Sequence, residues 1–331
     1  MSFTPQVKRV SKPKKPSVKT AAQLVKEERY DEALAAFQEI LEEEPSSKQA
    51  LLGMGSICLK QKDYEGALTY FEAVRKIDPM MAKASLAVGN VCYKQSQLDS
   101  AAEAFKDALR IDPSATAGYL GMGRVLLKQE KYPQAKEQIE KALAFNPQLI
   151  PGRLLMSQIY QEQGNTEAAI DEIESALRMN PTAWSAYQAL GNIYLKQQQY
   201  NLARKNFESA QEVNPKIPVV AKMGYIEALI ASDALNEAAE ILRELPNKKP
   251  LEAKKQKLWG DLYTRQGFTK EAAEAYRAAS LLAAEQGEVT SELSNLDMLI
   301  EEDEDKLGEI LNSYKEKATQ QIAQTKLRKN P

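Results

Sequence analysis

A period of 34 residues constrains this chain more than any other feature of its sequence. Prolines stand at Pro45, Pro79, Pro113, Pro147, Pro181 and Pro215, each 34 residues after the last. Alanines keep the same step at Ala33, Ala67, Ala101, Ala135, Ala169 and Ala203. A large apolar residue follows each alanine four positions later: Phe37, Phe71, Phe105, Ile139, Ile173 and Phe207. Small residues recur in register at Ala21, Gly55, Gly89, Gly123, Ser157 and Gly191. Columns kept in phase over so many units mark a repeat protein, whose units complete their cores only by stacking on one another.

Each column has a physical reason. Proline cannot continue a helix and biases the residue before it away from the α region, so a helix ends at each of these points. The preceding residues are Glu44, Asp78, Asp112, Asn146, Asn180 and Asn214, mostly types that suit turns. The small-residue column lies 12 residues before the alanine column, on the preceding helix, where it lets two helices approach closely. In the second helix Ala67, Phe71 and Val74 share one apolar face, and in the first Leu51, Met54 and Cys58 do the same. Each unit therefore reads as an αα-hairpin.

These residues resemble the tetratricopeptide repeat family, whose pattern is W-x2-L-G-x2-Y…A-x3-F…P. The segment 184–217 carries Tyr187, Leu190, Gly191 and Tyr194, then Tyr200, Ala203, Phe207, Ala210 and Pro215. The likeness spans residues 14–286 in eight frames: 14–47, 48–81, 82–115, 116–149, 150–183, 184–217, 218–252 and 253–286. It implies an all-α, right-handed superhelical solenoid of stacked αα-hairpins. The seventh frame departs from the pattern. Pro215 to Pro250 is 35 residues, Tyr225 or Ile226 stands where glycine is expected, and Pro218 opens the first helix. Two helices with a local change of superhelix geometry are expected there. The eighth frame recovers Trp259, Gly260, Tyr263, Ala272 and Tyr276 but lacks the closing proline.

The domain plan that follows is a basic arm over 1–19, a solenoid over 20–286 and a C-terminal capping helix with a charged tail over 287–331. The arm holds Lys8, Arg9, Lys12, Lys14, Lys15 and Lys19 with few apolar groups, too few to offset the entropy of ordering, so it reads as disordered. No aromatic residue interleaves its charges as single-strand binding favours, so a solubilising tail is preferred to a lipid-, nucleic-acid- or acidic-partner-binding arm. In the capping segment, 288–319, Leu293, Leu296, Ile300, Leu307, Ile310 and Leu311 recur at roughly helical spacing, broken by the acidic run 301–305. A stacked array needs such an end with a polar outer face.

Composition narrows the function. The chain has no histidine, which removes Ser-His and Cys-His nucleophiles, histidine-liganded zinc and the commonest general base. Cys58 and Cys92, its two cysteines, occupy one core-facing repeat position and read as small apolar fillers. No GxxxxGK[ST] loop is present, and Gly53-Met54-Gly55 and Gly121-Met122-Gly123 lie inside helices. The expectation is a protein that is not an enzyme and holds no catalytic, cofactor or metal site. A net charge of −2 gives no general attraction to nucleic acid or membrane, and no apolar run reaches the length of a span. Without a secretory h-region the expected location is cytoplasmic.

The resemblance places ligands in a groove lined by the first helix of each repeat. The positions that map to it are Leu52, Ser56 and Leu59; Leu86, Asn90 and Tyr93; Leu120, Arg124 and Leu127; Leu154, Gln158 and Gln161; and Gln188, Asn192 and Leu195. They form two leucine-rich rails beside a polar row, although apolar residues are frequent at these places in such repeats generally. On this mapping Leu120→Glu sets a charge in solvent at little cost to stability. The lysine–asparagine clamp by which some relatives hold a C-terminal carboxylate is missing, because Leu52 and Ala87 stand where it needs cations. Lys60, Lys94, Lys128 and Lys196 form a column near first-helix C-termini, which the helix dipole explains. The expected function is a protein-interaction scaffold or adaptor, monomeric, holding a helix or extended segment of a protein partner. The alternatives are a self-associating assembly subunit and the regulatory partner of an enzyme on another chain.

Overall fold

The computed structural model describes residues 16–247 and 251–286. Among these residues lie sixteen α-helices and no strand. They fall in two compact units, the first ending at Gln163 and the second beginning at Gly164. The first holds α1 (Val18–Lys26), α2 (Tyr30–Glu43), α3 (Lys48–Lys60), α4 (Tyr64–Ile77), α5 (Ala82–Lys94), α6 (Leu98–Ile111), α7 (Thr116–Lys128), α8 (Tyr132–Phe145) and α9 (Ile150–Glu162). The second holds α10 (Thr166–Met179), α11 (Trp184–Lys196), α12 (Tyr200–Val213), α13 (Val219–Ala231), α14 (Leu235–Glu244), α15 (Leu251–Gln266) and α16 (Thr269–Gln286). The fold is an all-α solenoid of stacked helical hairpins: within each unit a second helix packs on its own first helix and on the first helix of the next hairpin. The expected capping segment 288–319, its acidic run 301–305 and arm residues 1–15 lie outside the described residues.

The arm ends sooner than expected. Ser17 and Thr20 form a capping box: the Ser17 hydroxyl accepts the Thr20 amide at 3.2 Å, and Thr20 Oγ1 accepts the Ser17 amide at 2.7 Å. Two otherwise orphaned donors are satisfied, so Val18 and Lys19 are already helical.

Two kinds of joint alternate along the chain. Between hairpins the proline corner is held by its Asp or Asn. The side chains of Asp78, Asp112, Asn146, Asn180 and Asn214 each accept the backbone amide two residues on, at 2.9–3.2 Å. Lys48 also bridges to Asp78 at 2.7 Å and holds its carboxyl below the usual carboxylate range. Inside each hairpin the chain turns through one residue of positive φ: Glu28, Lys62, Ser96, Glu130, Gly164, Gln198, Asp233 and Gly267. Most of these turns end the first helix in a Schellman motif. At Lys62, for example, the Asp63 amide donates to the Cys58 carbonyl at 2.8 Å and the Lys62 amide to the Leu59 carbonyl at 3.3 Å.

The small-residue column is explained by close approach. A Cβ at Gly55 would stand 2.6 Å from the Phe71 ring, and one at Gly89 would stand 2.7 Å from Phe105. Phe105 is wedged further, since a Cβ at Gly121 on the next first helix would meet it at 2.5 Å. Helix α3 is thus covered from two sides. On α3, Ala50, Met54 and Ile57 pack with Phe37 of the preceding hairpin, whereas Leu51, Leu52 and Cys58 pack with Phe71, Ala84 and Val88.

In the seventh hairpin the extra residue falls in the corner before α13. Helix α13 starts 35 residues after α11, and its turn residue Asp233 stands 35 after Gln198. The glycine position is therefore taken by Ile226 and the phenylalanine position by Leu242, both fully buried in one cluster. Tyr225 falls in the Leu190 place, with its hydroxyl donating to Glu237 at 2.5 Å. Burial and that carboxylate together push its phenol well above the ordinary tyrosine range. After α14 no Asp-Pro or Asn-Pro corner exists. Instead the buried Lys255 reaches back from α15, donating to the Leu245 carbonyl at 2.6 Å and Asn247 Oδ1 at 2.5 Å.

Candidate functional site

Where hairpins flank a first helix on both sides, as at α3, α5 and α7, only a narrow strip of it meets solvent. On α3 the exposed residues of that strip are Gln49, Ser56 and Lys60, and on α5 they are Lys83, Asn90 and Lys94. The spacing i, i+7, i+11 is a straight line along one helix face. Helix α7 continues the strip with Ala117, half-buried Arg124 and Lys128, and α9 with Pro151, Gln158 and Glu162.

In the first unit these strips border an open cavity of 670 Å³ spanning four successive first helices. Helix α3 contributes Leu59, α5 contributes Asn90, Tyr93 and Lys94, α7 contributes Arg124, Leu127 and Lys128, and α9 contributes Leu155 and Gln158. Lys128 is fixed from two directions. Its Nζ lies 5.5 Å from the centroid of the Tyr93 ring and donates to Ser96 Oγ at 2.8 Å. The first contact is a cation–π interaction worth ~0.5–1 kcal/mol at an exposed site.

The structure divides the residues mapped from sequence. Leu59, Asn90, Tyr93, Arg124, Leu127 and Gln158 come together at the cavity. Ser56, which is exposed, and Leu86, Leu154 and Gln161, which are half-buried, do not line it. Gln188, Asn192 and Leu195 lie on α11 in the second unit, where Asn192 is exposed and the other two are half-buried. Leu52, Leu120 and Leu127 are not the solvent-facing rails that were expected: they are 9%, 7% and 9% exposed. Leu52 belongs to the core with Phe71 and Val88, and the Leu120 side chain lies against Gly152 of the next hairpin. The expectation for Leu120→Glu is reversed, because the carboxylate would be buried at a cost of about 3 kcal/mol or more. Lys94, Lys128 and Leu155 were missed as lining residues. The lysine column was visible, but the dipole accounted for it, and its place one turn beyond Asn90 was the overlooked signal.

Cys58 and Cys92 are free and buried, and burial pushes both thiols above the ordinary cysteine range, away from nucleophilic use. Among the described residues no cluster of potential metal ligands occurs, and no helix is long and apolar enough to cross a membrane.

Comparison with known proteins agrees with the fold. Residues 15–212 match the family model described as the Cilia and flagella-associated protein 70 C-terminal domain, and residues 194–258 match that of the tetratricopeptide repeat. No curated protein matches significantly. Among solved structures, TTC0263, a thermophilic TPR protein of Thermus thermophilus, is 24% identical with a TM-score of 0.51, over 56% of this chain and 100% of its own. The APC/C hetero-tetramer Cut9-Hcn1 aligns at 15% identity and TM-score 0.64, over 85% of this chain and 54% of that one. PilW, a type IV pilus biogenesis factor, aligns at 18% identity and TM-score 0.52, over 60% of this chain and 93% of its own. At these identities the likeness is one of fold.

Proposed function

The chain belongs to the tetratricopeptide repeat family, through the model of the Cilia and flagella-associated protein 70 C-terminal domain, and from that premise we propose that it is a scaffold holding a segment of a protein partner against its first helices. The family fold supports protein–protein interaction generally, and members are typically scaffolds without catalysis. The observation that carries the finer reading is the cavity shared by α3, α5, α7 and α9. It is preformed, and it combines half-buried leucines with exposed polar groups, the composition that recognises an extended or helical segment.

The test fills the cavity without touching the core. Asn90 is exposed, so Asn90→Trp should melt within ~0.5 kcal/mol of the parent. It should nevertheless lose partners captured from the native host and identified by mass spectrometry, while Ser100→Trp on the exposed side of α6 keeps them. If Asn90→Trp retains every partner, binding uses another face. Self-association is the second reading, favoured by the exposed apolar side chains Met80, Phe145, Val220 and Phe268. Light scattering over a concentration series separates the two, since only an assembly subunit grows without a partner.

A further inference from the structure

We infer that the cavity of the first unit selects an acidic segment, one whose carboxylates alternate with apolar side chains; this rests on the scaffold reading above. Its rim carries three cations, Lys94, Arg124 and Lys128, and no carboxylate lines it. Several basic side chains elsewhere in this unit have acidic partners. On the second helices Arg75 pairs with Glu72 and Asp107, Arg110 with Asp107, Lys106 with Glu103 and Lys141 with Glu137. Lys94 and Arg124 have no carboxylate partner among the described residues, and Lys128 spends its hydrogen bond on a neutral hydroxyl. The chain as a whole is slightly acidic at −2, so this local excess runs against the global charge.

The arrangement explains what each group would do. Half-buried Arg124 offers a planar fork of donors that suits a carboxylate, and charge-assisted hydrogen bonds are about twice as strong as neutral ones. Lys94 stands one turn beyond Asn90 on α5, so a carboxylate between them meets an ammonium and an amide donor together. Leu59 and Leu155 lie at the two ends of the cavity's helix series and offer apolar contact to the side chains between the acids. The carboxylates face cations open to solvent at Lys94 and Lys128, so their contribution falls with salt.

Fluorescence anisotropy on the full chain tests this with a short dye-labelled peptide of alternating leucine and glutamate, against the same peptide with glutamine for glutamate. The glutamate peptide should bind about tenfold more tightly, and the advantage should shrink as salt rises. The double variant Lys94→Gln, Arg124→Gln should bring the glutamate peptide down to the glutamine level. Arg110→Gln removes one positive charge on α6, away from the cavity, and should leave affinity within about twofold. Equal affinity of the two peptides, or a glutamate peptide indifferent to the double variant, overturns the inference. If equal peptides are both released by Asn90→Trp, the scaffold reading outlives it. If neither peptide binds, the acidic preference is refuted, and partner capture alone decides the scaffold.

Discussion

In the hairpin α5–α6 Gly89 stands against the Phe105 ring; in the hairpin α13–α14 the same two places hold Ile226 and Leu242. One pair joins no side chain to a very large one, and the other joins two of middle size. Phe105, Ile226 and Leu242 are all fully buried, so the packing requirement falls on the pair and not on either residue. The corners differ in parallel. The regular hairpin ends on Asp112 and Pro113, with the Asp carboxylate accepting the Ser114 amide. The seventh ends on Leu245 and Pro246, and Lys255 of the next helix supplies the donor instead. Repeat identity thus resides in volumes and satisfied backbone groups, and a departure at one residue is answered at another.

The largest effect should come from breaking the pair. Phe105→Ala should lose ~3–5 kcal/mol in urea unfolding, since the ring is wedged between two glycines. Transplanting the seventh-hairpin solution sharpens the point: Gly89→Ile alone should overpack and cost ~1–3 kcal/mol, and Phe105→Leu alone should leave a void. Together they should be more stable than the sum of the two losses by about 1 kcal/mol or more. Strict additivity would mean that the two hairpins do not share one packing rule.

A smaller loss is expected at the corners. Lys255→Met strips the buried Leu245 carbonyl of its donor and should cost ~1–3 kcal/mol, seen as faster amide exchange in α14 and α15. Lys48→Met removes a bridge to Asp78 that is about a third exposed, and should cost under ~1 kcal/mol. If the two variants are equally damaging, the lysine of the seventh corner is only another surface bridge.

The smallest effect is a gain. Lys62 holds a φ of 64° that a side chain disfavours, so Lys62→Gly should stabilise the first unit by up to ~1 kcal/mol. Gly267, at φ 79°, should lose about as much on change to alanine. Opposite signs in paired thermal melts are required.

Much of the fold was legible because its columns answer to steric facts that any one hairpin displays. A proline stops a helix, and a glycine opposite a phenylalanine admits a ring. The turns inside the hairpins left no comparable trace, because Glu28, Lys62, Ser96, Glu130, Gln198 and Asp233 adopt positive φ without being glycine. Their cost is met by the paired carbonyls of the Schellman motif, which composition does not reveal. The exposure of the site was misjudged for a related reason. Leu52 and Leu120 belong to a free face within a single hairpin, and only the stacking of the next one buries them. Of the polar row, Ser56, Asn90, Gln158 and Asn192 are exposed and Arg124 is half-buried.

The extra residue before α13 has a consequence for how such an array can change length. It sits in a corner, and the hairpins on both sides keep their own turns, at Gln198 and Asp233. A corner is thus a seam at which the reading of the repeat can slip by a residue while each hairpin stays whole. A cut through a left-handed turn would instead separate the two halves of a packed pair. Ile217-Pro218 marks one such seam, where the phase slips by a single residue.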